Sequence, residues 1–364
     1  MTIRESVAAY ETWLGKRITL LPADLALKHR RMAADPFSFL RGTYYRWAQL
    51  WPALCAELNA APLVVAVGDL HTANFGTWRD PEGRLVWGVN DLDEAHPLPY
   101  TGDLVRLATS ARLLIEIGHL SLPPQEACNA ILDGYRSMLE RGGRPFILTE
   151  RHRWLRLLVC RIRFDPARFW ARLRELPDHH AAVPIAVLEL LGQLMPERGH
   201  AYTMKRRAAG VGSLGRRRFV ALLDWEGGFI AREAKELTIS AAAWAGGAGH
   251  SDERYGMWVR SNAVHIADPF LAIGINWVVR RLAPDCQRID PVRLRNPSLE
   301  RRLLRAMGQE TANLHLASAK HVPAILADLR YRSNDWLHHA SRLMARAVVH
   351  DWREWKRARR RTEG

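Results

Sequence analysis

The sequence predicts an α+β protein with a larger, mostly helical part and a smaller antiparallel β part. Between residues 103 and 195 apolar side chains recur at helical spacing, with Leu104, Leu107 and Ala108 on one face. Residues 201–231 instead carry short apolar runs separated by glycine-rich turns, which is typical of a β-meander. A length of 364 residues corresponds to roughly two domains, so we expect two lobes around a cleft.

The beginning of the chain predicts helices, with the clearest amphipathic stretches at residues 7–14 and 44–58. The segment 32–42 lies between them, contains Pro36 and ends on Gly42. Because proline and glycine interrupt regular structure, this segment is predicted to be a loop.

A strand and a hairpin are predicted next. Residues 63–67 form a β-branched run, the strongest strand pattern in the first half of the chain. Residues 80–83 read Asp-Pro-Glu-Gly, a strong turn signal, and residues 85–89 form the returning strand. Because a hairpin brings its two ends together, the polar residues that precede and follow it are expected at one edge.

The second half of the chain predicts a small sheet and then more helices. Three strands of the meander are expected at 201–207, 218–223 and 229–231, with a turn at 225–228. Beyond residue 239 the pattern is mostly helical, and residues 273–279 are the one further strand prediction.

The charge balance is strongly basic, with 53 Lys and Arg against 38 Asp and Glu and a net charge of +15. Such a balance suggests a polyanionic partner such as nucleic acid. However, only six of the basic residues are lysine, and an arginine excess of this kind also follows from GC-rich codons. The arginines form no single dense block, so nucleic-acid binding is an alternative and not the main expectation.

The composition also predicts the compartment. No uninterrupted apolar run reaches the roughly 20 residues of a membrane-spanning helix, and charges interrupt the first residues where a signal peptide would be apolar. The cysteines Cys55, Cys128, Cys160 and Cys286 lie too far apart to match a zinc or redox spacing. Free thiols are typical of a reducing compartment, so we expect a cytoplasmic protein without membrane contact.

Two polar motifs flank the predicted hairpin. Asp69 and Asn74 precede it, where an aspartate can deprotonate a hydroxyl and an asparagine can offer its carbonyl oxygen to a hard cation. Asp91, Asp93 and Glu94 follow it, and carboxylates this crowded need a cation or hydrogen-bond donors among them. Mg²⁺ is the expected cation, because it takes few protein carboxylates together with phosphate oxygens. The alternative is that these residues only cap turns and form a solvated strand end.

A glycine-rich segment joins the first two strands of the meander. Gly210, Gly212, Ser213 and Gly215 would let backbone N–H groups approach and cradle phosphates. Taken alone, the segment is also compatible with an ordinary turn. Its position between two strands argues against a dinucleotide-binding fingerprint, which needs a strand followed by a helix.

These motifs resemble those of a known enzyme class. The run from Gly68 to Asn74, Gly-Asp-Leu-His-Thr-Ala-Asn, is similar to the catalytic loop of aminoglycoside phosphotransferases and other kinase-like enzymes. Asp91-Leu-Asp93 resembles their metal-binding element after the same hairpin, and Asp103 resembles the aspartate that anchors the catalytic loop.

More closely, the chain resembles the bacterial family catalogued as domain of unknown function 2252, which has no settled activity. The resemblance extends over most of the chain. It is carried by eight stretches, namely 35–42, 68–76, 90–95, 103–110, 210–222, 232–234, 268–271 and 308–318.

The parts of a kinase-like chain occur here in a changed order. Such a chain normally runs from the glycine-rich loop and the β3 lysine to the catalytic loop and the metal-binding aspartate, whereas here the glycine-rich segment follows Asp91. Residues 309–315 resemble the helix that normally precedes the catalytic loop. The resemblance therefore implies a two-lobed, circularly permuted protein-kinase-like fold.

That fold divides the chain into four parts. They are an N-terminal helical extension (1–60), the catalytic-loop part of the helical lobe (61–200), a small β-rich nucleotide-binding lobe (201–282) and C-terminal helices returning to the helical lobe (283–364).

The resemblance also implies ATP and Mg²⁺ as cofactors. Asp69 would be the catalytic base, while Asn74, Asp91 and Asp93 would hold Mg²⁺ on the nucleotide phosphates. The residues covering the phosphates would be Gly210, Gly212, Ser213 and Gly215.

The phosphate-contacting lysine of that class is replaced by Arg232, which can hold phosphate but is not equivalent to lysine. Lys235 is the other candidate, although three residues along a strand it points to the opposite face. Glu253 is the candidate partner of this cation, and His71 is expected to form a hydrogen bond within the catalytic loop.

The implied function is an ATP- and Mg²⁺-dependent phosphotransferase. Its expected partners are a nucleotide and a small-molecule hydroxyl acceptor. The alternatives are a nucleotide-binding pseudokinase, an adenylyltransferase and a basic protein associated with nucleic acid.

Overall fold

A computed structural model describes residues 1–161, 165–196, 201–247, 255–286, 288, 294 and 296–363. It is a mixed α+β structure in which helices predominate. The helices are α1 (Ile3–Gly15), α2 (Pro22–Ala34), α3 (Pro36–Gly42), α4 (Tyr44–Leu54), α5 (Ala56–Asn59), α6 (Tyr100–Glu116), α7 (Pro124–Glu140), α8 (Arg153–Arg161), α9 (Pro166–Arg174), α10 (Ile185–Leu194), α11 (Ala241–Ala245), α12 (Tyr255–Asn262), α13 (Pro297–His315), α14 (Val322–Tyr331) and α15 (Trp336–Glu363). The strands are β1 (Leu63–Ala66), β2 (Phe75–Arg79), β3 (Leu85–Val89), β4 (His96–Pro99), β5 (Phe146–Ile147), β6 (Thr203–Arg206), β7 (Arg218–Trp225), β8 (Gly228–Glu236), β9 (Leu271–Ile273) and β10 (Trp277–Leu282).

The main hydrophobic core lies among the helices. It draws buried side chains from the N-terminal helices as well as from α6, α7, α13 and α15. Helix α6 is buried along nearly its whole length, from Tyr100 to Leu114, because other elements pack on several of its sides. The N-terminal helices therefore belong to the same packed body as the helices that follow the first strands.

The strands form small antiparallel sheets. Strand β1 pairs with β4, the hairpin β2–β3 pairs with β5, and the largest sheet has the order β6-β7-β8-β10-β9. Alternate residues of this five-stranded sheet face two separate apolar clusters. One cluster includes Phe219 and Val279 and packs on α10, and the other includes Val220 and Leu282 beside the aromatic rings of α9.

The predicted hairpin and meander are confirmed. Strand β2 pairs with β3 from Phe75 opposite Val89 to Arg79 opposite Leu85, and Gly83 in the turn has φ of +73°. This register places the beginning of β2 beside the end of β3. The polar residues on either side of the hairpin therefore meet at one edge, as the sequence predicts.

The prediction of a loop at 32–42 is wrong. This segment forms the end of α2 and the whole of α3, with Asp35 between them. The Asp35 side chain accepts a 2.7 Å hydrogen bond from the Ser38 N–H, and Pro36 occupies the first turn of α3. Proline at a helix start is favourable because its missing N–H would have had no partner there, so Pro36 begins a helix here.

The single strand predicted at 273–279 is instead a pair of strands, β9 and β10. They are antiparallel, with Val278 opposite Ile273, and Gly274 N–H donates to Trp277 O at 2.8 Å to close the turn between them. The turn interrupts what appears in the sequence as one apolar run, and the two strands complete an edge of the five-stranded sheet.

None of the helices in the described part of the chain combines the length and the apolar character needed to cross a bilayer.

Candidate active site

The loop between β1 and β2 is held in place by a buried carboxylate on α6. Asp103 accepts hydrogen bonds from the backbone N–H groups of Val67, at 2.7 Å, and Gly68, at 2.9 Å. His315, at the end of α13, lies 3.0 Å from the same carboxylate. Asp103 thus anchors the loop, in the position expected of it.

Gly68 is required where this loop turns. Its φ is +78°, and a Cβ there would lie 2.4 Å from Glu94 O and 2.7 Å from the Tyr44 hydroxyl. Both the conformation and the close approach exclude a larger side chain. The turn brings the next residue, Asp69, to the cleft.

Asp69 has one carboxylate oxygen held and the other directed at the glycine-rich loop. Its Oδ1 accepts from Arg106 Nε at 2.9 Å and also from Arg106 Nη2. Its Oδ2 would lie 3.7 Å from a Cβ at Gly212. Burial raises the pKa of Asp69 above its ordinary value, although the Arg106 charge opposes the shift.

Arg106 is fully buried and fixed on several sides. Its guanidinium lies over the rings of Tyr44 and Trp47, at 4.9 and 5.0 Å from the ring centres, and its Nη2 also donates to Leu40 O at 3.0 Å. A rigid guanidinium of this kind orients the Asp69 carboxylate.

Asn74 ties the two polar motifs together. Its Nδ2 donates to Asp91 O at 2.9 Å, and its Oδ1 accepts from Asp91 N–H at 3.0 Å. The Asn74 amide thus forms a reciprocal pair with the Asp91 backbone, and one lone pair of Oδ1 remains for a cation. The β2–β3 register explains this meeting, since both residues lie at the same end of the hairpin.

Asp91 and Asp93 share a single ammonium group. Lys235 Nζ lies 2.6 Å from Asp91 Oδ2 and forms an ion pair with Asp93 Oδ2 as well. Burial alone would raise the pKa of Asp91, but the Lys235 charge outweighs it and holds that pKa well below its usual range. Burial and the Asp91 charge raise the pKa of Asp93.

These contacts bear on the expected Mg²⁺. Two carboxylates close enough to share one ammonium group, with an amide oxygen beside them, form a donor set of the kind that Mg²⁺ takes. Asp91, Asp93 and Asn74 therefore fit the ion, and Lys235 neutralises the carboxylates without it.

The glycine-rich segment forms a loop between β6 and β7 that lies over Asp69. Gly210 and Gly215 have φ of +76° and +99°, and the Ser213 hydroxyl accepts from Arg218 Nη2 at 2.7 Å. A Cβ at Gly212 would lie only 3.0 Å from Arg41 O. Gly210, Gly212 and Ser213 thus line the cleft as predicted, whereas Gly215 lies outside it and packs against Leu25 of α2.

Arg232 does not lie where the sequence predicts a phosphate-contacting cation. Its side chain is buried away from the cleft, donates from Nε to Leu194 O at 3.0 Å and stacks on the Phe270 ring. Burial lowers the pKa of Arg232 to about 10. Since side chains alternate along β8, residues 232 and 235 face opposite sides, and it is Lys235 that faces Asp91.

Two further predictions concern histidine and glutamate. His71 accepts a 3.2 Å hydrogen bond from Ala73 N–H through Nδ1, which confirms a bond within the loop. Glu253 lies outside the residues that the structure describes. Lys235 has its carboxylate partners in Asp91 and Asp93.

The cleft between these elements holds about 750 Å³ of empty space, part of which is open to solvent. Several of its wall residues were not predicted from the sequence. These are Tyr10, Lys28, Arg41, Tyr44, Tyr45, Ala241 and Arg288. The spacing of Arg106 from Asp103, one helical turn, could have indicated that residue, whereas no local pattern points to Lys28 or Tyr10.

Residues 20–176 match the model of a family described as "Uncharacterized protein conserved in bacteria (DUF2252)". The chain is thus similar over this range to a bacterial family without an assigned activity. The matched range contains Asp69, Asn74, Asp91 and Asp93 but ends before the glycine-rich loop and Lys235. Searches of curated proteins and of solved structures gave no match.

Proposed function

We propose that the protein is an ATP- and Mg²⁺-dependent phosphotransferase acting on a small-molecule hydroxyl. The observation that carries the proposal is the convergence of Asp69, the Asp91–Asp93 pair, Lys235 and the glycine-rich loop on one cleft, from four separate chain segments. Phosphoryl transfer depends mainly on positioning and charge neutralisation, and this set of groups supplies both.

A circularly permuted kinase-like fold is part of the proposal. The glycine-rich loop joins the first two strands of the five-stranded sheet, and Lys235 lies on the third, β8, as the kinase-like order of parts requires. Helix α13, which resembles the helix before the catalytic loop, ends beside that loop's anchor, with His315 at Asp103. A permutation accounts for this arrangement, because the spatial order of the parts is kept while their order along the chain is changed.

The proposed roles follow from the contacts. Arg106 holds Asp69 Oδ1, so Oδ2 is left to accept the proton of an acceptor hydroxyl as its oxygen attacks phosphorus. The raised pKa of Asp69 makes that carboxylate a better proton acceptor. Asp91 and Asp93 would hold Mg²⁺, which when bound neutralises phosphate charge. Lys235 would turn from these carboxylates to the phosphates.

A thermal-unfolding series with ATP and GTP, each with and without Mg²⁺, tests nucleotide binding. At about 100 times the dissociation constant, a bound nucleotide should stabilise the fold by about 2–3 kcal/mol. We expect this gain to need Mg²⁺ and to be lost in Asp91→Ala. Asp224→Ala, an exposed aspartate of β7, is the matched control and should keep the gain. A folded wild-type chain that no nucleotide stabilises would contradict the proposal.

A nucleotide-binding protein without turnover is the second candidate. Two observations favour it: Asp69 is already paired with Arg106, and Lys235 is already paired with both carboxylates. Measurement of ADP release over many turnovers separates the two, because a sensor binds the nucleotide without consuming it.

A further inference from the structure

Lys28 is a buried lysine on α2 whose amine lies in the cleft wall. It is 2% exposed, and its Nζ donates to Gly212 O at 3.4 Å and lies 5.5 Å from the centre of the Tyr45 ring. Among the described residues no carboxylate lies within ion-pair distance of this amine. A buried charge without a counter-ion is costly, so it calls for an explanation.

The nearby carboxylates all have other partners. Glu11 lies 2.7 Å from His29, and Asp69 is held by Arg106. Glu94 lies 3.5 Å from Arg216 and accepts a 2.6 Å hydrogen bond from Ala241 N–H. Among the described residues Lys28 therefore has no carboxylate as its own ion-pair partner, although the charges of Glu11, Glu94 and Asp69 help to keep its amine protonated. Burial lowers its pKa to about 8, which leaves the amine mostly protonated at neutral pH.

Two donors in the same walls have no hydrogen-bond partner in the part of the chain that the structure describes. The Tyr45 hydroxyl and Arg216 Nε are buried and form no hydrogen bond with any described residue. Tyr45 stacks on Tyr10 at 4.2 Å, and both rings line the cleft. This end of the cleft, formed by α1, α2, α4 and Arg216, thus offers a buried cation and two polar atoms, the Tyr45 hydroxyl and Arg216 Nε, that have no hydrogen-bond partner among the described residues.

Lys28 and Tyr45 come to the cleft from other chain segments than the groups proposed to bind the phosphates. Lys235 on β8 pairs with Asp91 and Asp93, whereas Lys28 contacts the loop carbonyl at Gly212 from the N-terminal helices. A ligand group next to Lys28 would lie beside the carboxylate proposed to activate the acceptor.

We infer that this end of the cleft is an acceptor subsite for a small hydroxylated anion, a hydroxy carboxylate or a phosphate ester, with Lys28 holding the anionic group. The inference rests on the proposed function. In the transfer, the acceptor's hydroxyl oxygen forms a new bond to the γ-phosphorus of ATP. The bond from that phosphorus to the β–γ bridging oxygen breaks, its electron pair leaves on ADP, and the hydroxyl proton passes to Asp69.

Thermal unfolding of the full chain with D-glycerate, glycerol 3-phosphate and neutral glycerol, at matched ionic strength and without nucleotide, tests the subsite. We expect saturable stabilisation by at least one of the anions and none by glycerol. The carboxylate and phosphate arms identify which anionic group the subsite takes. No stabilisation by either anion, or equal stabilisation by glycerol, would overturn the inference.

Lys28→Met is the decisive variant. It should weaken the apparent affinity for the stabilising anion at least tenfold, and it should raise the melting temperature of the unliganded chain, because it removes an unpaired buried charge. Lys205→Met is the matched control: Lys205 is also buried, but it bonds Arg174 O and pairs with Asp178 outside the cleft. That variant should keep the anion response. An unchanged anion affinity in Lys28→Met would refute the role of Lys28.

Thermal unfolding with ATP and GTP, run in parallel, distinguishes failure of the anion subsite from failure of the proposed phosphotransferase activity. Stabilisation by nucleotide without any response to the anions would overturn the subsite alone. Stabilisation by an anion that depends on Lys28, with no response to any nucleotide, would overturn the phosphotransferase and leave an anion site.

Discussion

Arg106 donates from two nitrogens to a single oxygen of Asp69, while the other oxygen of that carboxylate faces Gly212. The two residues are 37 positions apart, on a loop and on α6. This one-sided pairing fixes the carboxylate without using the oxygen that an acceptor hydroxyl would need. The stability and the proposed chemistry of the site therefore both depend on the pair.

Arg106→Met should destabilise the fold by about 3 kcal/mol, because it leaves a mostly buried carboxylate without its donor. Urea unfolding measures the loss, and Arg106→Met with Asp69→Asn should recover part of it. Arg301→Met is the control, since Arg301 pairs with Glu126 at the surface and should contribute about 1 kcal/mol or less. Equal losses of unfolding free energy in Arg106→Met and Arg301→Met would show that the buried ion pair contributes no more to stability than the surface pair.

Asp69→Asn should keep nucleotide binding and lose phosphoryl transfer. Asparagine retains the shape and can still contact Arg106, but it cannot accept the acceptor's proton, and general-base catalysis typically contributes about 10²- to 10⁴-fold. Nucleotide-dependent thermal shifts and product formation are measured on the same preparation. A loss of nucleotide binding as large as the loss of transfer would instead mean that Asp69 is structural.

In the Lys235→Met variant, the free energy of unfolding should depend on Mg²⁺. Without the ammonium group, the partly buried carboxylates of Asp91 and Asp93 repel each other, which should cost up to about 3 kcal/mol. Mg²⁺ should restore this loss in urea unfolding, and adding Asp93→Asn should restore it without the ion. If Mg²⁺ stabilises Lys235→Met no more than the wild type, these carboxylates do not form a cation site.

Glu310, on α13, should make stability fall as the pH rises. Burial raises the pKa of Glu310 from 4.5 to about 8, so between these values the folded chain keeps a proton that the unfolded chain has released. The contribution of Glu310 is complete below about pH 4.5 and is lost progressively up to about pH 8, at no more than about 1.4 kcal/mol per pH unit.

Glu310→Gln isolates this effect, since glutamine can still accept from Asn313 Nδ2, which lies 2.9 Å from Glu310 Oε2. The neighbouring His265 has a pKa lowered by burial to about 3, so it gives the opposite slope between about pH 3 and its ordinary value of 6.5. That slope is common to both chains and cancels in their difference. Chemical unfolding at several pH values should show the variant gaining stability over the wild type toward pH 8, and a constant difference would contradict the prediction.

Local patterns predicted the elements that carry the site. The β-branched run at 63–67, the turn at 80–83 and the glycine-rich segment each depend on neighbours a few residues away, and the structure contains all of them. The β2–β3 hairpin then placed Asn74 beside Asp91, because a two-stranded register is itself a local property.

Prediction from local patterns failed where a residue is compatible with two different local structures or orientations. Pro36 either ends a helix or begins one, and the Asp35 cap decided for the beginning. Arg232 and Lys235 occur on one strand, and only the packing of β8 against its neighbours selects which of them faces the carboxylates.

The short secondary-structure elements of this chain could thus be predicted from its sequence, because backbone preferences and the alternation of apolar and polar side chains act over a few residues. The remaining part of the site depended on long-range packing. Lys28 and Gly212 are 184 residues apart, and Lys235 and Asp91 are 144 apart, so only burial of the shared core brings them into contact. The hydrophobic effect is non-directional, so an apolar pattern does not show which distant segment a helix will pack against. The contribution of α1, α2 and α4 to the cleft walls could therefore be found only in the folded molecule.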